Sequence, residues 1–200
     1  MDTSTLDLLK SRRSLKPDLM VEPGPSAAEL DVLLTIASRV PDHKKLVPWR
    51  FIVFSGDARA RFGEKIAQAC EAEDAMPPSP IRLETERKRF MRAPIVIAVI
   101  SRVLDKPGAP EWEQILSAGA SAMNLCIAAN AMGYATCWLT EWIAYSPRVR
   151  VALGLAANER VAGFVYIGSA SAKPIAGACG ASASGTLRTM RSTAPAECTV

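Results

Sequence analysis

Two spacings alternate along the 200-residue chain. Apolar side chains recur every three or four positions in some stretches and crowd into short β-branched or aromatic runs in others. Ser4 and Asp7 open a capping pattern, and Leu6, Leu8 and Leu9 follow, which predicts a helix from about residue 4 to about 12. A proline-rich connection covers 15–25. Ser26 and Glu29 form a second capping box, after which Leu30, Leu33, Leu34 and Ala37 share one face of a helix ending near Arg39. WRFIVFSG (49–56) reads as a strand. Asp57 is placed to cap a helix to about Glu73, AMPPSP breaks it, and a charged helix covers roughly 80–91. APIVIAVISRVL (93–104) is almost continuously β-branched, the mark of a strand covered on both faces. The longest helix runs from about Pro110 to Met132. Its second half, AGASAMNLCIAANAM, is apolar or small nearly all round, so it is buried in the core or against a partner chain. Gly133 is placed to end it. YATCWL (134–139) is a short strand, Ser146 and Pro147 start a helix that stops at Gly154, and RVAGFVYIGSA (160–170) is the last strand.

Helices and strands mix without steady βα alternation, which predicts an α+β fold. Beyond Lys173 the chain turns to Ala, Gly, Ser, Thr and Pro, with too few large apolar groups for a core of its own. Residues 1–173 are therefore expected to form one domain and 174–200 a flexible tail. Composition adds less. Hydrophobic residues at 49% and charged residues at 22% are ordinary for a soluble globular protein. The formal net charge is +4, and arginines interleave with acids, as in IRLETERKRFMR (81–92), so nucleic acid is not expected as a partner. The five cysteines (Cys70, Cys126, Cys137, Cys179 and Cys198) include no C-x-x-C pair and read as free thiols in a reducing compartment. No apolar run approaches the ~20 residues that cross a bilayer. MDTSTLDLLKSRRS lacks the apolar core of a secretory leader. A cytoplasmic protein without membrane attachment is the expectation.

Absences prune the chemistry. There is no G-x-x-x-x-G-K-[ST], no G-x-G-x-x-G and no G-x-S-x-G, so a P-loop, a Rossmann dinucleotide site and a serine-hydrolase elbow are not expected. With one histidine, two-histidine metal sites are impossible, and no metal is expected. Cationic and hydroxyl groups at element ends remain. Arg12, Arg13 and Ser14 follow the first helix, where two guanidiniums and a hydroxyl suit a phosphate, although cations there also simply complement the helix dipole. Arg39 ends the second helix, and the sole histidine, His43, follows in VPDHKKLVP, as a ligand group or as a solvated turn. Trp138, Leu139 and Thr140 end a short strand, and Lys173 follows the last one. Each admits a structural account as well as a ligand-binding one.

Taken in order, LLKSRRS, RVPDHKKLVPWRF, RAPIVIAVI, PEWEQILSAGASAMNL, MGYATCW and GFVYIGS resemble the nitroreductase family, most closely its short, single-domain YdjA-like branch. The resemblance covers about residues 4–173, and P-D-H-K-x-x-x-P-W and W-E-Q-x-x-S-A-G are its most distinctive blocks. It implies a nitroreductase-like fold, with a central, mostly antiparallel sheet flanked by helices. It also implies a homodimer with FMN at the subunit interface, and NADH or NADPH as electron donor. Position by position, Arg12, Arg13 and Ser14 match the family's N-terminal flavin triplet. Arg39 and His43 match a pair reaching flavin from the loop after the second helix, one of them commonly across the interface. Trp138, Leu139 and Thr140 match the strand-end triplet, with Leu139 where close relatives can carry arginine, and Lys173 is a weaker phosphate contact. Ala128, Ala129, Asn130, Ala131, Met132 and Gly133 match a segment assigned to nicotinamide nucleotide. The large substrate-covering insertion of longer members is missing, which suggests an open site.

The function implied is hydride transfer from NAD(P)H through flavin to an electron-poor small molecule such as a nitroaromatic or quinone, with ping-pong kinetics. No side chain need act as a catalytic acid, base or nucleophile, because the flavin carries the chemistry. Two other readings stay open: a flavin-binding protein that stores, senses or consumes FMN, and a hydrolase pairing His43 with a serine or Cys137.

Overall fold

In the computed structural model, residues 5–172 are described. In chain order the elements are α1 (Thr5–Ser11), β1 (Met20–Val21), α2 (Ala27–Ala37), β2 (Trp49–Ser55), α3 (Asp57–Glu73), α4 (Pro80–Arg87), β3 (Ile95–Arg102), α5 (Glu111–Ala131), β4 (Ala135–Leu139), α6 (Pro147–Ala152) and β5 (Glu159–Ala170). Short 3-10 turns lie at Pro17–Leu19, His43–Lys45, Arg89–Arg92 and Trp142–Ala144. The 174–200 tail lies outside the described residues, as do Ser4, Lys173, Cys179 and Cys198.

Every strand pairing is antiparallel. The order is β1-β5-β3-β2, and β4 pairs with β5 as well, so the twelve-residue β5 is the spine of the sheet. β3 carries the β-branched run and is buried from Ile95 to Ser101. The period-2 alternation of a strand divides it between two cores. Ile95, Ile97 and Val99 pack with Leu33 and Ala37 of α2 and with Ala122, Leu125 and Ala129 of α5. Val96, Ala98 and Ile100 pack with Phe62 and Ile66 of α3 and with Phe90. Phe90 gathers Phe54, Phe62 and Phe164 at ring-centroid distances of 5.0, 5.2 and 5.3 Å. The result is helix, sheet, helix: the α+β, antiparallel architecture expected from the resemblance.

Local signals act where expected. Ser26 and Glu29 make both halves of a capping box, and Ser146 caps α6 by accepting the Val149 N–H. Gly133 and Gly154 take positive φ, 90° and 64°, past the ends of α5 and α6. Three expectations are corrected. Asp57 is the first helical residue of α3 rather than its cap, which is Gly56 at φ 51°. The charged helix stops at Arg87 and continues as a 3-10 turn. The proline-rich connection contains β1, whose two residues pair with Ala170 and Ser169, too short a strand to show as a pattern. α5 is buried along one side only: Trp112 is 66% and Leu116 53% exposed. Among the described residues, no helix is long and apolar enough to cross a membrane.

Candidate functional site

The end of α1 delivers Arg12, Arg13 and Ser14 to the C-terminal end of α5. Arg12 donates from Nε to Asn130 Oδ1 at 3.3 Å. Asn130 donates in turn to the Tyr134 carbonyl at 2.8 Å and accepts from Thr136 Oγ1 at 3.5 Å. The Leu15 N–H donates to the Thr136 carbonyl at 3.0 Å, which ties the N-terminal segment to β4. Arg13 donates to the carbonyls of Lys10 and Arg12. Both guanidiniums are thus oriented by neutral partners, and Ser14 beside them is exposed.

Trp138 is two residues beyond Thr136 and so on the same face of β4. Its indole Nε1 donates to the Ala162 carbonyl at 3.1 Å, and the ring lies so close over Gly163 that a Cβ there would overlap it. Gly163 adjoins the β-bulge at which the β3–β5 register shifts. Leu139 points to the opposite face, against the Phe90 core. Thr140 is half-buried where β4 ends.

His43 lies at the other end of α5, and Arg39 beside the helix's second half. His43 Nδ1 is 2.6 Å from Glu113 Oε2, with both side chains about half exposed, at 50% and 49%. Asn124 donates to the Arg39 carbonyl at 2.9 Å, Ser117 donates to the Pro41 carbonyl at 2.5 Å, and Lys44 reaches the Pro107 carbonyl. The Asp42 carboxylate accepts the N–H groups of Leu46 and Val47 at 2.9 and 2.8 Å. This loop is strained as well as strapped: Lys44, Lys45 and Val47 have φ of 61°, 55° and 49°. The only other described non-glycine residue at positive φ is Glu141, one step beyond Thr140. Backbone strain therefore falls in one segment picked out from sequence and directly beside another.

Behind the strand end lies a network that local sequence does not reveal. Glu141 holds Arg89 at 2.7 Å and Arg92 at 2.8 Å. Arg89 also grips the fully buried Glu86 at 2.5 and 2.6 Å, and Arg92 donates to Tyr166 Oη at 2.9 Å. Burial opposes the charge of Glu141, but hydrogen bonds from Arg92 and Arg89 overcome it and lower its pKa. Burial pushes the Tyr166 phenol up to about 12, against the Arg92 charge.

The structure brings Arg12, Asn130, Thr136 and the Trp138 strand together, sets His43 apart from them, and places Arg39 between the two, against Asn124 of α5. Of the expected nicotinamide segment, Ala128 and Ala129 face the sheet, Asn130 and Met132 are half-buried, and Ala131 and Gly133 are exposed. Glu113 was missed as a partner of His43 because 70 residues separate them. The hydrolase reading gains no nucleophile. Cys137 is buried in the Phe90 core and its thiol is pushed up by that burial. Ser121 is fully buried in α5 with its hydroxyl unpaired, rather than bonded to the preceding turn. Among the described residues no cluster of His, Cys, Asp and Glu could hold a metal.

Residues 9–169 match the Nitroreductase family. A protein of Escherichia coli strain K12, YdjA, named provisionally as an NAD(P)H nitroreductase, is 33% identical over 168 residues, covering 84% of this chain and 89% of its own. The crystal structure of a nitroreductase-like family protein from Bacillus cereus superposes with a TM-score of 0.79 at 20% identity, covering 95% of this chain and 97% of that one. A nitroreductase with bound FMN from Bacteroides fragilis superposes with a TM-score of 0.66 at 20% identity, covering 94% and 98%.

Proposed function

The chain belongs to the nitroreductase family, and from that premise we propose that it is an FMN-dependent oxidoreductase passing hydride from NADH or NADPH to an electron-poor small molecule. The observation that carries this reading is the joining of the Arg12–Ser14 segment to β4, the strand that ends at Trp138–Thr140, through the Arg12–Asn130 and Leu15–Thr136 bonds. The donor set fits the cofactor. Two adjacent guanidiniums held by neutral partners and an exposed hydroxyl suit a phosphate monoester. A tryptophan beside a strand end whose backbone is available suits a flat heterocycle that needs both stacking and donors.

Bound FMN would supply the hydride-accepting and hydride-donating centre. The chain's own groups bind and orient it. Arg12, Arg13 and Ser14 would neutralise the phosphate. His43 and Arg39 would supply donors from a loop whose strain and straps hold it in one conformation. Cationic donors near the ring would favour the extra negative charge of the reduced state. His43 sits at the opposite end of α5 from Arg12 within one chain, so we propose that it serves the flavin of a second copy, making the active unit a homodimer. Donor and acceptor would then take turns in one pocket, giving ping-pong kinetics.

The test is an absorption spectrum of purified protein before and after incubation with FMN, followed by anaerobic addition of each nicotinamide cofactor. Flavin absorption that bleaches with NADH or NADPH and returns with a nitroaromatic or quinone is the expected result. A protein that stays colourless with FMN overturns the proposal. A yellow protein that neither nucleotide bleaches favours flavin binding without reductase turnover.

A further inference from the structure

Glu141 combines three features that do not arise together by default. Its backbone is at φ 51°, ψ −178°, a region where glycine is at ease and other residues cost ~1–3 kcal/mol. Its carboxylate, 24% exposed, is shared between Arg89 at 2.7 Å and Arg92 at 2.8 Å. And it directly follows Trp138, Leu139 and Thr140. Stability alone does not account for this. A buried ion pair is often no better than apolar packing, and glycine would take the same turn without strain. The arginines are themselves fixed: Arg89 by Glu86, Arg92 by the Tyr166 hydroxyl, the Arg89 carbonyl and the Tyr166 ring, 4.9 Å away. The carboxylate is therefore held from the turn after α4 and from β5, the two elements that flank the end of β4.

We propose that Glu141 is a positioning residue: gripped by Arg89 and Arg92, it locks the turn that leaves β4 and so aims the Trp138–Thr140 backbone at the flavin. This rests on the flavin reading above. Glycine would allow the turn, whereas glutamate with two arginines allows it and excludes the alternatives. Alanine neither favours the turn nor holds it.

The experiment compares Glu141→Ala with Glu141→Gly in the full chain, reading FMN affinity by fluorescence titration, the absorption band of bound flavin, and melting without FMN. Both variants leave the same two arginines without their carboxylate, so both melt lower than the parent protein. Alanine is expected to weaken FMN about tenfold or more and to shift the bound-flavin band. Glycine is expected to recover most of that loss, because its backbone takes φ 51° unaided. A merely structural ion pair predicts no such recovery, with glycine no better than alanine. Alanine binding FMN like the parent, or glycine binding no tighter than alanine, overturns the proposal. Should alanine not fold, Glu141→Gln, which keeps the side-chain volume and one acceptor oxygen, replaces it, and glycine is again expected to bind tighter. A parent chain that takes up no FMN overturns the flavin reading and this one with it. A parent chain that binds FMN while the variants fail the stated order overturns this one alone.

Discussion

His43 is held in two ways that call for different measurements. Its 2.6 Å contact with Glu113 joins two half-exposed side chains, and such a pair contributes about 0–1 kcal/mol to stability. Its loop, in contrast, is fixed by Asp42, Ser117, Asn124 and Lys44 whether or not the imidazole is present. His43→Ala should therefore leave the melting temperature nearly unchanged. It should weaken FMN by the value of a hydrogen bond to a charged group, on the order of 1.5–3 kcal/mol. FMN titration and a melt on the same variant decide it: unchanged affinity makes His43 a turn residue and nothing more. Gly163 is a second residue-scale test. A side-chain methyl there overlaps the Trp138 indole, so Gly163→Ala must rotate that ring off β5 and break its bond to the Ala162 carbonyl. Overpacking of this kind costs about 1–3 kcal/mol, and FMN affinity should fall with it, because Trp138 lies beside the proposed ring site. Of these residues only His43 and Trp138 were candidates for the site in the sequence. Glu113 and Gly163 fall within the WEQ and GFVYIGS blocks, but their partners lie 70 and 25 positions away, which no local pattern encodes.

At the scale of elements the legible parts are those set by local chemistry. The Ser26–Glu29 box, the Ser146–Pro147 start and the Gly133 and Gly154 stops each act within a turn of their own position. The β-branched β3 could be placed between two layers because a run with no polar face has no side to give to water. What local chemistry could not show is how elements lock together. The α3–α4 junction is one such lock: a Cβ at Gly63 would collide with the Arg87 carbonyl. Backbone cannot yield as a flexible side chain does, so Gly63→Ala should separate the two helices and cost about 3 kcal/mol or more, read as a lower urea midpoint. The Arg50–Glu159 pair is another, clamping β2 to β5 across β3. Arg50 donates to both carboxylate oxygens at 2.7 Å, and the Ala156 N–H adds a third bond at 3.0 Å. The Arg50 hydrogen bonds hold the Glu159 carboxyl at about 2, against an ordinary 4.5. The unfolded chain thus takes up this proton first as pH falls. The stabilisation, on the order of 2–3 kcal/mol, is complete above pH 4.5 and is lost between there and about pH 2. Glu159→Gln should lower stability at pH 7 and remove that part of the acid slope, measured as urea midpoints across the range.

For the whole molecule, the governing fact is a distance along one helix. Glu113, the partner of His43, and Asn130, the partner of Arg12, stand on the same α5. At 1.5 Å per residue they are about 25 Å apart along its axis, too far for one flavin to meet both groups in one chain. The same helix shows what a partner would cover. Trp112 and Leu116 are exposed, Gly119, Ala120, Met123 and Ile127 continue the side at helical spacing in half-buried positions, and a Cβ at Gly119 would touch nothing. α1 adds Leu6 and Leu9, 66% and 46% exposed, from a helix with no buried residue. Two α5 helices packed antiparallel about a twofold axis would bury this stripe, and the same rotation sets the His43 end of each beside the Arg12 end of the other. Oligomerisation and cofactor binding are then one event, which Leu116→Glu tests. A charge set against the apolar stripe of the other helix should shift the protein from dimer to monomer in light scattering, with the chain still folded by circular dichroism because Leu116 is already half in solvent. FMN affinity should fall at least as far as it does in His43→Ala, since every donor of the far set is lost together. A monomeric variant that keeps the parent's FMN affinity would mean that one chain holds the flavin alone, and that the loop around His43 serves some other purpose.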